Sequence, residues 1–290
     1  MAADKKSKAG GYHFGSVDTV ISVEDVARQA QELGAGVDLA TIGKLAGDNP
    51  FVSIEQLRAG YGRMEILHDF NLQIGKGQSL CLIGPNGAGK STVLHSIFGF
   101  TSIYSGRITV GDTGAQHDVT ALSPSDKLKK ARIAYILQDK SVFPDMTVEE
   151  NLWMGGYVMD TPAQAKEAAE TVFAKYERLA ARRKHTAKVL SGGERRLLEI
   201  SRALVMQPDV LLVDEPSIGL EPRFIDMVFE ILDDLQHNEG KTIIMVEQNA
   251  KKGLEFADIG YVLVSGELAL AGPGDELLAN PEVARLFLGG

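Results

Sequence analysis

The run Gly84-Pro85-Asn86-Gly87-Ala88-Gly89-Lys90-Ser91-Thr92 constrains this chain more than any other segment. It matches the phosphate-loop pattern GxxxxGK followed by Ser or Thr. The chemistry explains the residue types. Glycines let the backbone curl until several N–H groups point at one phosphate. A helix that starts at the anion adds its N-terminal dipole. Lys90 brings a mobile charge to the β- and γ-phosphates, and the Ser91 hydroxyl can ligate Mg²⁺. Such a loop needs a buried strand before it and a helix after it. The apolar run Ser79–Ile83 supplies the strand, and the residues beyond Thr92 supply the helix. The expectation is an α/β layer fold around a mostly parallel sheet.

The rest of the chain repeats that alternation. Phe51–Leu57 and Ile66–Ile74 alternate as antiparallel strands do. Arg132–Leu137, Val210–Val213 and Lys241–Val246 are further strand candidates. Pro162–Ala181 predicts one Ala-rich helix with a broad apolar face. Tyr261–Val264 and Leu268–Leu270 flank a Ser265–Gly266 turn and predict a hairpin. Short helices are expected around Glu276–Ala279 and Pro281–Leu288, and no internal repeat is visible.

Composition excludes several classes. The longest stretch without Asp, Glu, Lys or Arg, Ser91–Gly106, holds Ser, Thr, His and Gly and predicts no membrane span. No apolar segment follows the charged Met1–Lys8, so no signal peptide is expected. Cys81 is the only cysteine, which excludes an intramolecular disulfide and a Cys-based zinc site; it reads as a small buried residue. The chain is therefore expected to be soluble and cytosolic. A net charge of −9 argues against nucleic acid as the main partner.

Residues 1–50 differ in pattern from residues 51–290. Residues 1–17 look like a flexible tail. Ser22 and Asp25 could cap a helix carrying Val23, Val26, Ala27, Ala30 and Leu33, and Gly34 and Gly36 would stop it. A second short helix would carry Leu39, Ile42 and Leu45. This N-terminal extension is read as an accessory arm packing on the domain or on a partner, with a regulatory role as the alternative.

Val210–Val213 runs straight into Asp214-Glu215-Pro216. Carboxylates at the C-terminal end of a buried strand reach the crevice where such sheets bind ligands. Asp214 is expected to hold Mg²⁺, directly or through water. Glu215 is expected to polarise the attacking water as general base.

Leu190-Ser191-Gly192-Gly193-Glu194, followed by the helical span Arg195–Met206, resembles the signature motif of the ATP-binding cassette (ABC) ATPases. The resemblance covers about residues 51–290. It implies a P-loop NTPase core with a mainly parallel sheet, an antiparallel β subdomain and a helical subdomain at about 139–190. It implies ATP and Mg²⁺ as cofactors, and ATP hydrolysis coupled to transport. Ser191, the Gly192–Gly193 backbone and Glu194 would face the ATP held by the opposite subunit. Tyr61, in Gly60-Tyr61-Gly62, matches the aromatic that stacks on adenine. Gln138 matches the glutamine that contacts Mg²⁺ and the attacking water. Ser217–Leu220 matches the loop that crosses the dimer interface. Phe143, Pro144, Trp153 and Met154 are candidates for the groove that receives a membrane subunit's coupling helix, with core packing an equally good reading.

Val142-Phe143-Pro144, Thr147–Leu152, Glu215–Leu220, Val246–Ala250 and the ending Arg285–Gly289 resemble the ATPases of high-affinity branched-chain amino-acid importers, the smaller of the two in particular. Close relatives serve urea or short amides. The partners implied are a paralogous ATPase (a homodimer being the alternative), two membrane permeases and, indirectly, a periplasmic solute-binding protein. The implied location is the cytoplasmic face of the inner membrane. Two features depart from the family pattern. One is the N-terminal extension. The other is Gln248, which stands where most ABC ATPases carry a His that contacts the γ-phosphate, although Gln is usual in this subfamily. Glu194-Arg195-Arg196 keeps a lipopolysaccharide-type exporter ATPase as the rival. A soluble ABC ATPase of DNA repair or translation is excluded by the short Gln138-to-Ser191 span and the single cassette. Intact Lys90, Asp214 and Glu215 argue against a silent regulatory cassette.

Overall fold

The computed structural model describes residues 37, 39–47, 49–138 and 141–287. The helix expected between Ser22 and Leu33 lies outside them. After a short helix α1 (Leu39–Leu45), alternating burial drives β1 (Pro50–Tyr61) and β2 (Met64–Gly75) into a long antiparallel pair. The pairing shifts register between Ile54 and Leu57, where Gln56 takes a left-handed backbone with φ 45°. β4 (Ser102–Val110) adds to the other edge of β1, and β5 (His117–Asp118) adds to β4. The sequence did not predict β4. Only its last three residues are buried, so its periodicity is weak.

The second sheet has the order β10-β9-β3-β8-β7-β6. β3 (Ser79–Ile83), β6 (Ile133–Ile136), β7 (Val210–Asp214), β8 (Thr242–Val246) and β9 (Ile259–Val264) run parallel. β10 (Glu267–Pro273) returns antiparallel on β9, as the hairpin signal predicted. Every residue of β3, β7 and β8 is buried, which explains their near-continuous apolar runs. Helix α2 (Lys90–Phe98), which follows the phosphate loop, packs on β7 and β8.

Between β5 and β7 the chain makes a largely helical excursion: α3 (Pro124–Lys129), α4 (Val148–Gly155), α5 (Pro162–Lys175), α6 (Glu177–Ala180) and α7 (Gly192–Leu204). Capping boxes at Thr147–Glu150 and Thr161–Gln164 start α4 and α5. The single helix expected over Pro162–Ala181 is two helices, broken at Tyr176 with φ −115° and ψ 81°. No Gly or Pro marks the break; its cause is tertiary. Lys175 is tied to Asp234 at 2.7 Å and to Glu239, and the turn buries Leu179 completely. Asp234 lies in α8 (Pro222–His237). Helices α9 (Ala250–Phe256), α10 (Gly274–Ala279) and α11 (Pro281–Phe287) follow in the C-terminal part.

Helix α1 packs against β2 and β10. Its Ile42 is 1% exposed, and Gln78 Nε2 donates to the Leu45 carbonyl at 3.1 Å. This segment of the extension therefore shares a core with Val52, Ile74 and Leu80. Ile42→Ala should lower unfolding free energy by about 2–4 kcal/mol, as large-to-small changes in a packed core do. Urea denaturation checks this; a change below about 0.5 kcal/mol would mean that the helix adds nothing to the core.

Candidate functional site

β3 delivers the phosphate loop to the C-terminal edge of the parallel sheet. The chain turns at Gly84, where φ is 144° and a Cβ would lie 2.1 Å from the Leu263 carbonyl oxygen. Only glycine fits there, because the loop runs against the backbone of β9. Asn86 and Gly87 are exposed, whereas Ala88, Gly89 and Thr92 are buried. Lys90, 8% exposed, arches over the loop and donates to the carbonyl oxygens of Gly84 at 2.9 Å and Pro85 at 3.0 Å. Burial pulls its ammonium below the usual lysine range, against the nearby Glu215 and Asp214 carboxylates, which raise it.

Strand register brings the acidic pair to the same edge. Leu82 pairs with Val246, and Val246 pairs with Asp214. Ser91 Oγ donates to Asp214 Oδ1 at 3.2 Å, and Tyr135 Oη donates to Oδ2 at 2.8 Å. Glu215 sits in the left-handed region with φ 43°, and its N–H donates to the Val246 carbonyl at 2.9 Å. That conformation is uncommon for a residue with a side chain and clusters at functional sites. Burial raises the Glu215 carboxyl above the ordinary range; Asp214 adds to this, Lys90 opposes it and Glu247 adds a smaller push. Gln138 Nε2 donates to Glu215 Oε2 at 2.8 Å. The structure thus brings Lys90, Ser91, Gln138, Asp214 and Glu215 to one edge.

The donor set fits a magnesium ion. The Ser91 hydroxyl oxygen and an Asp214 carboxylate oxygen face each other, and Gln138 stands on the neighbouring Glu215. Mg²⁺ takes few protein oxygens and keeps water and phosphate oxygens as its other ligands. It needs no cage of protein carboxylates, and among the described residues no three His, Cys, Asp or Glu side chains are placed to hold a metal by themselves.

Tyr61 ends β1 and is 43% exposed. Its hydroxyl meets His95 Nδ1 at 2.5 Å, with the two rings edge to face at 6.1 Å between centroids. His95 in turn lies 5.7 Å from the Tyr135 ring. Sequence reasoning missed both His95 and Tyr135. His95 stands four residues after Ser91 on one helix, so helical spacing could have placed the two on one face.

Ser191 caps α7 through a capping box. Its Oγ accepts from the Glu194 N–H at 3.2 Å, and its N–H donates to Glu194 Oε2 at 2.9 Å. Glu194 also pairs with Arg182 at 3.2 Å. These contacts, the Ser191 N–H first, hold its carboxyl below the usual range. Gly192 faces open space, while Gly193 is buried against the Phe224 ring. Gln248 is exposed in the turn after β8.

The same helix carries a buried ion pair. Arg196 Nη1 meets Glu199 Oε2 at 2.8 Å, with the side chains 4% and 6% exposed. The same nitrogen donates to the carbonyls of Leu137 at 2.8 Å and Gln138 at 3.4 Å. Further along α7, Arg202 donates to the Ser141 carbonyl and lies 5.6 Å over the Phe143 ring. A cavity of about 330 Å³ opens there, lined by Phe143, Met154, Tyr157 and Arg202 among others. Trp153 is instead half-buried against the core, with Lys166 4.6 Å over its ring, and the Pro144 carbonyl accepts from the Lys188 N–H. Of the four groove candidates, Phe143 and Met154 line this cavity.

The geometry has counterparts among known proteins. The family described as ABC transporter matches residues 67–218. The chain is 39% identical over 239 residues to the high-affinity branched-chain amino acid transport ATP-binding protein BraG of Pseudomonas aeruginosa, spanning 82% of this chain and 100% of that one. It is 38% identical over 234 residues to the probable branched-chain amino acid transport ATP-binding protein LivF of Archaeoglobus fulgidus, spanning 81% and 97%. Identity is 28% over 240 residues to the lipopolysaccharide export system ATP-binding protein LptB of Haemophilus influenzae, spanning 82% and 97%. Among solved structures, a nucleotide-free ATP-binding cassette from an ABC transporter superposes with a TM-score of 0.72 at 26% identity, covering 83% of this chain and 100% of that one.

Removing one half of a buried ion pair strands the other charge. Arg196→Ala should therefore cost about 3–5 kcal/mol in urea denaturation, while Arg196→Met combined with Glu199→Leu should recover most of the loss. A single mutant within about 1 kcal/mol of wild type would show that the pair is not sealed from water.

Proposed function

The chain belongs to the ABC transporter family of ATP-binding proteins, and from that premise we propose that it hydrolyses ATP to drive uptake of branched-chain amino acids or a related small solute. One observation carries the catalytic part. Ser91 touches Asp214 while Gln138 touches Glu215, at the strand edge beneath the phosphate loop. The solute class rests on the likeness to BraG and LivF, which exceeds that to the exporter subunit LptB.

In this reading Gly84–Thr92 wraps the phosphates, and Lys90 exchanges its two carbonyl partners for phosphate oxygens. Tyr61 stacks on the adenine. Ser91, Asp214 and Gln138 hold Mg²⁺, which neutralises phosphate charge when bound. Glu215 takes the proton of the attacking water, and Gln138 orients that carboxylate. Its raised pKa is a product of burial and of its acidic neighbour, and it strengthens the carboxylate as a base. Ser191 and the first amides of α7 serve the ATP of a second subunit. Glu194 acts through the capping box that shapes this helix start.

Two such subunits would close head to tail, the second being a paralogous ATPase. Two permeases would dock at the cavity beside Phe143 and Met154, placing the chain at the cytoplasmic face of the inner membrane, with a periplasmic solute-binding protein delivering the solute. No described helix is long and apolar enough to cross a membrane. We assign residues 51–290 to the nucleotide-binding domain, with the helical subdomain at about 139–190.

Glu215→Gln keeps shape and removes the base. ATP binding and closure should survive while hydrolysis falls by about 10²–10⁴, and gel filtration with ATP and the partner ATPase should show a trapped dimer. Normal hydrolysis by this variant would place the base elsewhere.

Gln248 can donate a hydrogen bond to a phosphate but cannot exchange a proton near pH 7. The chain alone should therefore show weak ATPase, the mixed pair more per site, and Gln248→His a modestly raised rate at nearly unchanged affinity. Equal rates for the chain alone and the mixed pair, with no effect of Gln248→Ala, would remove Gln248 from the chemistry.

A further inference from the structure

The residue before Gln248 is a carboxylate with almost no contact with water. Glu247 is 1% exposed at the end of β8. Its Oε1 accepts from Ser217 Oγ at 2.7 Å and from the Asn249 N–H at 2.8 Å, and its Oε2 accepts from the Ser217 N–H at 3.3 Å. It follows Val246, which pairs with Leu82 of β3, the strand that enters the phosphate loop. A buried carboxylate is tolerated only while its donors stay in place. Here two of three donors belong to Ser217, and the third belongs to the Gln248 turn.

Ser217 begins the segment Ser217–Leu220, two residues after Glu215. It is 9% exposed, whereas the next residue, Ile218, is 39% exposed and faces outward. The backbone is thus stapled twice to the end of β8: Glu215 N–H on the Val246 carbonyl at 2.9 Å, and Ser217 on the Glu247 side chain. Between the staples Glu215 holds its left-handed backbone.

We propose that the Glu247–Ser217 pair is a positioning lock that makes the Gln248 turn and the outward-facing segment Ser217–Leu220 move as one body. Through it, the state of the phosphate loop reaches the surface offered to a second subunit, and Glu215 keeps its orientation. This rests on the reading that ATP binds at the phosphate loop. Neither residue touches the phosphate loop's ligand-facing groups, so both act through others. Loss of the hydroxyl leaves the carboxylate two donors short of its buried needs only if the Ser217 N–H also withdraws, which is why the segment and the turn are expected to loosen together.

The test uses the whole chain with Mg²⁺-ATP, nucleotide titration and amide hydrogen exchange. In wild type, ATP should slow exchange in residues 217–220 and 248–250 together. In Ser217→Ala, ATP affinity should stay within about threefold, while exchange of 217–220 should rise about tenfold or more, as loss of one hydrogen bond to a charged group implies. Its response to ATP should then disappear. Ser217→Thr, which keeps the hydroxyl, should behave as wild type. Ser217→Ala combined with Glu247→Gln should cost less than the sum of the two single changes, because both weaken the same Ser217–Glu247 interaction. An ATP response of 217–220 that survives in Ser217→Ala, or effects of the two changes that simply add, would overturn the lock. Failure of wild type to bind ATP would instead overturn the functional reading; the faster exchange in Ser217→Ala and its rescue by threonine would still report on the pair itself.

Discussion

A phosphate loop keeps its amides in a fixed fan only if the strand before it and the helix after it hold still. Here that stillness comes from the parallel register of β3, β8 and β7. Leu82, Val246 and Asp214 lie in one row across three fully buried strands. A one-residue slip would send every side chain to the opposite face. Asp214 would then leave Ser91, and the Glu215 amide would lose the Val246 carbonyl. Apolar burial on both faces of these strands forbids the slip, so the chemistry at the edge depends on packing in the middle.

Burial also sets the charge balance at that edge. Lys90 and the carboxylates Asp214, Glu215 and Glu247 gather where little water enters. Desolvation is the leading cause of both the lowered Lys90 and the raised Glu215. Three of these groups have several named partners: Ser91 and Tyr135 on Asp214, Ser217 and Asn249 on Glu247, two carbonyls on Lys90. Glu215 has only Gln138 as its side-chain partner in this set. The least-matched carboxylate is therefore the one proposed to accept a proton.

The surroundings join this edge to more distant surfaces through arginines. Arg196 grips the backbone at Leu137 and Gln138 from the helix that Ser191 caps. Arg202 grips Ser141 and covers Phe143 beside the open cavity. A displacement at that cavity would have to move α7, Gln138 or both. In the proposed transport cycle this would carry coupling: one packed helix bears on Gln138, on the turn at Ser191 and on the cavity beside Phe143.

The chemical motifs were legible in the sequence because each is written in consecutive residues. Gly84–Thr92 encodes its own turn and helix start, Val210–Glu215 encodes a buried strand with an acidic end, and Leu190–Glu194 encodes a capped helix. Gln138 and Tyr61 came from family resemblance, since a strand-end Gln and a turn Tyr carry no local signal. What escaped depends on contacts far apart in the chain. Tyr135 meets Asp214, His95 meets Tyr61, Arg196 meets Leu137 and Glu247 meets Ser217 only after the sheet order is fixed. The break at Tyr176 and the overhanging strand β4 are likewise decided by neighbours rather than by their own patterns. Local propensity and periodicity thus determined which segments could do chemistry. The tertiary structure decided which side chains hold them in place, because a buried polar atom takes whatever partner the packing brings within reach.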